Sequence, residues 1–186
     1  DLHLSLRRQR QMCIRDRKKL VYLFLLITTT TALAQTPAKK ASEWDVLDQT
    51  FIKLVESLTK KQKQAFLQIS LLNVECGDCP EVDGFTKEGA SLPASIFYDQ
   101  TSGYFSQSAI YKALASRGYT FASGVIKKYK APDAPASTAK DLKVYDVWVH
   151  TYLPGQISKD HKGGSHAFRF IKKDGKYRFF GLIVSE

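Results

Sequence analysis

The residues best suited to acid–base chemistry share one predicted strand near the C-terminus. Leu142–Leu153 alternates between polar and apolar residues and is rich in Val, Tyr and Trp, which predicts a strand whose successive side chains point to opposite faces. One face suits a core and carries Tyr145, Val147, Val149 and Thr151. The other face carries Val144, Asp146, Trp148, His150 and Tyr152. A face that mixes an acid, an imidazole and two aromatic rings could line a ligand pocket.

The candidate pocket residues are therefore Asp146, Trp148, His150 and Tyr152, together with His166 on a later strand. Asp146, His150 and His166 are the candidate catalytic residues. Asp146 and His150 are too far apart along a strand to pair directly. Each could act alone, His150 as an acid or base near neutral pH and Asp146 if an apolar site buries it. The alternative is a solvent-facing surface in which a helix partly covers Trp148.

A short motif, Cys76-Gly77-Asp78-Cys79, is the most specific local feature. Two cysteines this close in an exported protein predict a disulfide, which closes a small loop and so adds little stability. Redox exchange is an alternative, but Pro80 fits poorly with the helix that would activate a thiolate. A zinc site with His161 and His166 is another alternative, but the long separation in sequence does not favour it. We predict a disulfide and no metal.

Other sequence signatures point away from several enzyme classes. The chain has no G-x-S-x-G elbow, no phosphate-binding glycine loop and no dinucleotide fingerprint, so we expect no cofactor. The 186 residues carry 28 Lys+Arg and 18 Asp+Glu, a formal net charge of +10. Half of that excess lies in residues 1–35. The rest is too mild for a nucleic-acid binder, and the Lys127–Lys130 and Lys172-Lys173 runs are too short to change this.

The first 41 residues divide into three segments. Residues 1–17 resemble a translated sequencing adapter and are given no structural meaning. Residues 18–34 predict a signal peptide, with Lys18 and Lys19 before the apolar Leu20–Ile27 and a cleavage site at Ala32-Leu33-Ala34. The apolar run is too short to span a bilayer, so we expect cleavage after Ala34, export to a periplasm or the outside, and no stable membrane anchor. An uncleaved anchor is the alternative, and residues 35–41 are a linker.

Residues 42–186 predict one domain of helices followed by strands. Trp44, Leu47, Phe51, Leu54, Val55 and Leu58 recur at helical spacing, which predicts a helix over residues 43–58. A capping box at Thr59–Gln62 predicts a second helix that continues to Leu72. A third helix is expected over Ser106–Ser116, and strands over Tyr119–Tyr129, Leu142–Leu153, His166–Ile171 and Tyr177–Val184. Asp174-Gly175 predicts a hairpin turn. The class is α+β, with helices packed on one face of an antiparallel sheet.

The closing segment FRFIKKDGKYRFFGLI, Phe168–Ile183, resembles the last hairpin of the nuclear transport factor 2-like (SnoaL-like) superfamily. The order of elements over residues 43–186 is similar to that family as well. The resemblance implies a cone whose curved sheet wraps a pocket, a fold that hosts both enzymes and non-catalytic binding modules. A cystatin-like α+β fold is the alternative.

Three functions fit this fold. The first is non-catalytic binding of a small apolar or aromatic ligand, or of a protein partner, in the cone. The second is a small isomerase, dehydratase or hydrolase that uses Asp146 and His150. The third is an accessory scaffold that dimerises through its sheet and holds no ligand. A deep cavity with Asp146 or His150 pointing inward favours the first two, whereas an interior filled by Phe and Tyr favours the third.

Overall fold

A computed structural model describes residues 42–77, 91–129 and 140–185. The predicted adapter-like segment, signal peptide and linker lie outside the described residues, as does Cys79. From Glu43 onward the chain is one compact unit. It opens with helix α1, Glu43–Thr59, which confirms the first predicted helix. The apolar stripe turns inward because residues three and four apart share one helix face, and Leu47, Leu54 and Leu58 are almost fully buried.

The second predicted helix is shorter than expected. Helix α2 spans Lys63–Ile69 and the chain then becomes strand β1, Ser70–Cys76. The turn before α2 places Lys61 at a φ of 54°, and Gln62 makes no side-chain capping bond. Tertiary packing overrides the helical pattern here, since Val74 is fully buried in a strand that pairs with the end of the chain.

The middle of the chain is mostly helical. Strand β2, Ser91–Pro93, leads directly into helix α3, Ala94–Ser102. A 3-10 turn at Phe105–Gln107 precedes helix α4, Ala109–Arg117, where the sequence predicted its third helix. Ser108 caps α4 by accepting a hydrogen bond from the Tyr111 N–H at 3.1 Å. Gly118 ends the helix at a φ of 76°, which suits glycine.

Four long strands complete the fold. They are β3 (Thr120–Tyr129), β4 (Lys140–Tyr152), β5 (Gly164–Lys173) and β6 (Lys176–Ser185). Asp174 and Gly175 have φ values of 50° and 72°, so both turn residues are left-handed, as a two-residue hairpin requires. This turn was predicted from the Asp-Gly pair and is confirmed.

The described strands form one six-stranded sheet in the order β2-β1-β6-β5-β4-β3. The prediction of an antiparallel sheet holds from β3 to β6 and is wrong for β1, which runs parallel to β6. The connection from β1 to β6 includes β2, both middle helices and strands β3 to β5, which is ample length for the crossover that a parallel pair needs. Helices α1, α2 and α3 and the 3-10 turn place phenylalanine rings on one face of the curved sheet. The α+β class and the element order implied by the resemblance are therefore confirmed.

Within residues 42–77, 91–129 and 140–185, no helix combines the length and apolarity needed to cross a membrane.

Candidate functional site

The space between the helices and the sheet is filled by phenylalanine rings. Phe51 of α1 lies 5.2 Å from Phe168 of β5, and Phe66 of α2 lies 5.9 Å from Phe179 of β6, measured between ring centroids. Seven phenylalanines are at most 2% exposed: Phe51, Phe66, Phe97, Phe105, Phe168, Phe170 and Phe179. Rings in edge-to-face contact at these separations pack favourably. The cone interior is thus occupied by the chain's own side chains in this region.

Two polar pairs, one part-buried and one buried, lie on the helix side of the sheet. The Tyr119 hydroxyl donates a hydrogen bond to Asp48 of α1, and the Tyr119 ring lies 4.7 Å from Phe51. The Thr151 hydroxyl and His166 Nδ1 are 2.7 Å apart, and both residues are buried. Buried polar groups need partners, and each of these has one.

Three of the predicted pocket residues, Asp146, Trp148 and His150, lie on the opposite face of the sheet. The register pairs Asp146 with Arg169, Trp148 with Ala167 and His150 with Ser165, whereas Val147 pairs with Phe168 on the helix side. Directly opposed residues in an antiparallel pair share a face. The core face predicted for β4 is therefore confirmed, with Tyr145, Val147, Val149 and Thr151 all buried.

The five predicted pocket residues are consequently split between two faces. His166 faces the helices beside Thr151, while Asp146, Trp148 and His150 face away from them. Tyr152 lies beyond a register shift and pairs with Gly164. The structure does not bring the five into one cavity, because strand alternation separates them. Whether either set binds a ligand stays a prediction.

A charged row crosses the outer face of the sheet. Glu75, Gly181, Arg169 and Asp146 are register neighbours on four successive strands. Arg169 Nε donates to Asp146 Oδ1 at 3.0 Å, and the two side chains are only 17% and 11% exposed. A Cβ at position 181 would lie 2.7 Å from the Glu75 carbonyl oxygen, so only glycine fits between β1 and β5. Asp146 is therefore held as the partner of an arginine.

Tyr129, at the far end of β3, also reaches this row. Its hydroxyl donates to Glu75 Oε1 at 3.0 Å, and its ring lies 5.5 Å from Phe180. Burial, and then the negative charge of Glu75, raises the pKa of the Tyr129 hydroxyl above its ordinary value. The sheet must curl strongly for this contact, because β3 and β1 are four places apart in strand order.

The remaining predicted pocket residues are at least partly exposed. His150 is exposed, and its Nδ1 lies 2.9 Å from the Ser165 hydroxyl. Trp148 and Tyr152 are half-buried, and the Tyr152 ring makes an edge contact with His161. Arg117 donates to the backbone carbonyls of His150 and Thr151, each at 2.7 Å, and so fastens the end of α4 to β4. His150 lies on an open surface rather than in a cleft.

The predicted disulfide is only half within the described residues. Cys76 is buried at the end of β1, and Cys79 lies outside them, so the pairing stays a prediction. In the described part of the chain, no three His, Cys, Asp or Glu side chains cluster in a way that could hold a metal ion.

The free edge of the sheet is a feature that the sequence did not single out. Strand β3 is the last strand in the order, and its residues Thr120–Val125 are all exposed. Phe121 and Val125 are 36% and 52% exposed. In natural edge strands, charged residues or proline usually prevent pairing with another chain, but Thr120–Ile126 contains neither. A run of uncharged residues before Lys127-Lys128 was the signal available in the sequence.

Asp48 was also missed. It lies on the stripe of α1 that holds Leu47 and Phe51, and it is 9% exposed. A carboxylate on the apolar face of an amphipathic helix was visible in the sequence, and Tyr119 then provides its partner.

Comparisons with known proteins give no sequence match. No family model matches the chain, and no curated protein is similar to it in sequence. Several solved structures of low sequence identity are similar to the chain. One is an NTF-2-like protein of unknown function from Shewanella oneidensis MR-1, at 12% identity, covering 78% of this chain and 100% of that one, with a TM-score of 0.30.

Two further solved structures are also similar to the chain. A domain of unknown function with a cystatin-like fold from Nostoc punctiforme PCC 73102 is 14% identical, covers 78% of each chain and has a TM-score of 0.34. A hexachlorocyclohexane dehydrochlorinase is 10% identical, covers 75% of this chain and 82% of that one, and has a TM-score of 0.33. One is described as a domain of unknown function and the other as an enzyme.

Proposed function

We propose that this protein is a non-catalytic interaction domain that pairs with a second copy of itself through edge strand β3. The observation that carries the proposal is the exposed, uncharged stretch Thr120–Ile126 at the free edge of the sheet. Its outward N–H and C=O groups are a template for another strand. Pairing two identical edges joins two six-stranded sheets into one and satisfies those groups.

The register of such a pair follows from symmetry. Two identical strands that pair antiparallel about a two-fold axis at Ser123 place Phe121 of one copy opposite Val125 of the other. Aromatic and β-branched residues directly opposite each other stabilise a sheet by about 0.2–1 kcal/mol. The same register sets Ala122 opposite Gly124, where a Cβ would meet nothing within 4 Å, so the small residues leave the edges free to approach.

The interior supports this function over the binding of a small ligand in the cone. Phe51 and Phe105 both contact Phe168 across the helix–sheet space. Asp146 is paired with Arg169 and His150 is exposed, so the acid and base proposed for an enzyme do not share a cavity. An interior filled by aromatic rings is the arrangement expected of a scaffold.

Sedimentation velocity over a range of protein concentrations tests the proposal. We expect the wild-type protein to dimerise and Ser123→Lys to remain monomeric, because two like charges would face each other across the two-fold axis. Ile157→Lys, at a 60% exposed position in the β4–β5 loop, is the matched control and should still dimerise. A wild-type protein that stays monomeric at every concentration contradicts the proposal.

A second candidate function rests on the two polar pairs. Asp48 with Tyr119 and Thr151 with His166 put an acid and an imidazole on the helix side of the sheet, which is the equipment of a small acid–base enzyme. Thermal-shift screening with small apolar carbonyl compounds tests it. Stabilisation that is lost in both Asp48→Asn and His166→Gln supports this function, and stabilisation unaffected by either variant contradicts it.

A further inference from the structure

A second surface lies between the helices and the β5–β6 turn. An open groove of about 480 Å³ is formed by side chains of α1, of the turn and helix α2, and of the start of β6. The lining side chains that matter here are Lys53, Glu56, Gln62, Gln68, Lys176 and Arg178. The groove is at the opposite end of β5 from the loop that joins β4 to β5.

The charge of this groove is positive. Lys53, Lys176 and Arg178 face one acid, Glu56, and that carboxylate already lies 3.4 Å from the Lys60 ammonium. Among the described residues, no carboxylate pairs with the three groove cations. Their charge is therefore available to a ligand.

One of the cations is fixed in place. Arg178 Nη1 donates to the backbone carbonyl of Gln68, in the last turn of α2. Helix carbonyls at this end have no partner within the helix, so the bond anchors the guanidinium on the groove wall. Arginine carries five N–H donors, and the rest of its fork remains to hold a carboxylate.

The other lining groups suit a peptide. The side-chain amides of Gln62 and Gln68 both donate and accept, as peptide N–H and C=O groups require. Ala65 and Ile69 add an aliphatic floor. No aromatic ring lines the groove, so it lacks the stacking platforms with which proteins hold single-stranded nucleic acid.

We propose that this groove docks an acidic, extended segment of a partner protein. Lys53, Lys176 and Arg178 pair with its carboxylates, and Gln62 and Gln68 bond its backbone. Lys173 lies opposite Lys176 in the β5–β6 register and adds positive charge beside the groove, whereas Lys172 pairs with Glu43. This site is separate from the β3 edge, so neither proposal requires the other.

Fluorescence anisotropy with a labelled hexaglutamate peptide at low salt tests the proposal. We expect saturable binding that weakens as salt rises and that falls by roughly tenfold or more in Lys53→Glu/Lys176→Glu. The neutral pair Lys53→Gln/Lys176→Gln should show a smaller loss in the same direction.

The matched control reverses two lysines elsewhere. Lys159→Glu/Lys162→Glu changes the net charge by the same amount in the β4–β5 loop, where both lysines are exposed, and should leave peptide binding within about twofold of wild type. An equal loss in this control means attraction by net charge alone and overturns the site. Equal or tighter groove-dependent binding of an oligonucleotide or of inorganic phosphate overturns the acidic peptide as its occupant.

Discussion

The two faces of strand β4 use the same backbone for opposite purposes. On the helix side, Tyr145, Val147 and Val149 are at most 3% exposed and pack beside the phenylalanine rings of β5. On the other side, Asp146 joins a charged row while His150 is exposed to solvent. The first face contributes to the core that holds the fold together, whereas the second carries the Asp146–Arg169 ion pair and, at His150, a polar group exposed to solvent.

The difference between the packed face and the exposed surfaces indicates where a function can lie. A face packed with aromatic rings has few positions that can change without a loss of stability, so it serves the fold. The exposed side chains of the β3 edge and of the basic groove face solvent, so they can change with little effect on the core. Substitutions on the packed face should therefore cost more stability than substitutions at the β3 edge or in the groove.

Phe168→Ala should be the most damaging change on the helix side. Phe168 touches Phe51, Phe105 and Phe179, and its removal should lower the free energy of unfolding by about 3–5 kcal/mol. Urea denaturation measures the loss. A cost below roughly 1 kcal/mol would mean that the interior is not close-packed, and would revive a ligand cavity in the cone.

Arg169→Met tests the outer face. It leaves Asp146 partly buried without its ion-pair partner, and we expect a loss of about 2 kcal/mol in the free energy of unfolding. Asp146→Leu combined with Arg169→Met should be less damaging, because no unpaired charge remains. If the double variant is the less stable one, the charged row stabilises the sheet more than apolar side chains would.

Alkaline pH should have the smallest effect. Burial raises the pKa of Tyr129 and of Tyr177 above the ordinary 10.0. A raised folded-state pKa means that the folded protein holds the proton more tightly, so this contribution is complete below about pH 10 and is lost as pH rises above it. Urea midpoints measured between pH 9 and 11 should fall, and Tyr129→Phe should flatten the fall. An unchanged slope in Tyr129→Phe contradicts the buried position of this hydroxyl.

Local sequence signals predicted those elements whose causes are local. The stripe from Trp44 to Leu58 located α1, the alternation in Leu142–Leu153 separated the two faces of β4, and Asp174-Gly175 located the β5–β6 turn. These are periodicity and turn chemistry, which act over a few residues.

The remaining features depend on partners distant in sequence. Ser70–Cys76 became a strand because β6 pairs with it, and Asp146 is an ion-pair residue because Arg169 lies opposite. The grouping of Lys53 with Lys176 follows only from the packing of α1 near the start of β6. Alternation within one strand shows which of its residues share a face. It does not give the register between strands, so it could not show that His166 and Asp146 lie on opposite faces.

Hydrogen exchange of the β3 edge is the most direct test of pairing between two copies through this strand. Exchange of the amides in Thr120–Ile126 would be followed by mass spectrometry at low and at high protein concentration. If two copies pair through β3, protection of this segment rises with protein concentration. Protection of β5 stays constant, because β5 is already paired on both sides. Equally fast exchange of Thr120–Ile126 at both concentrations would contradict pairing through this edge.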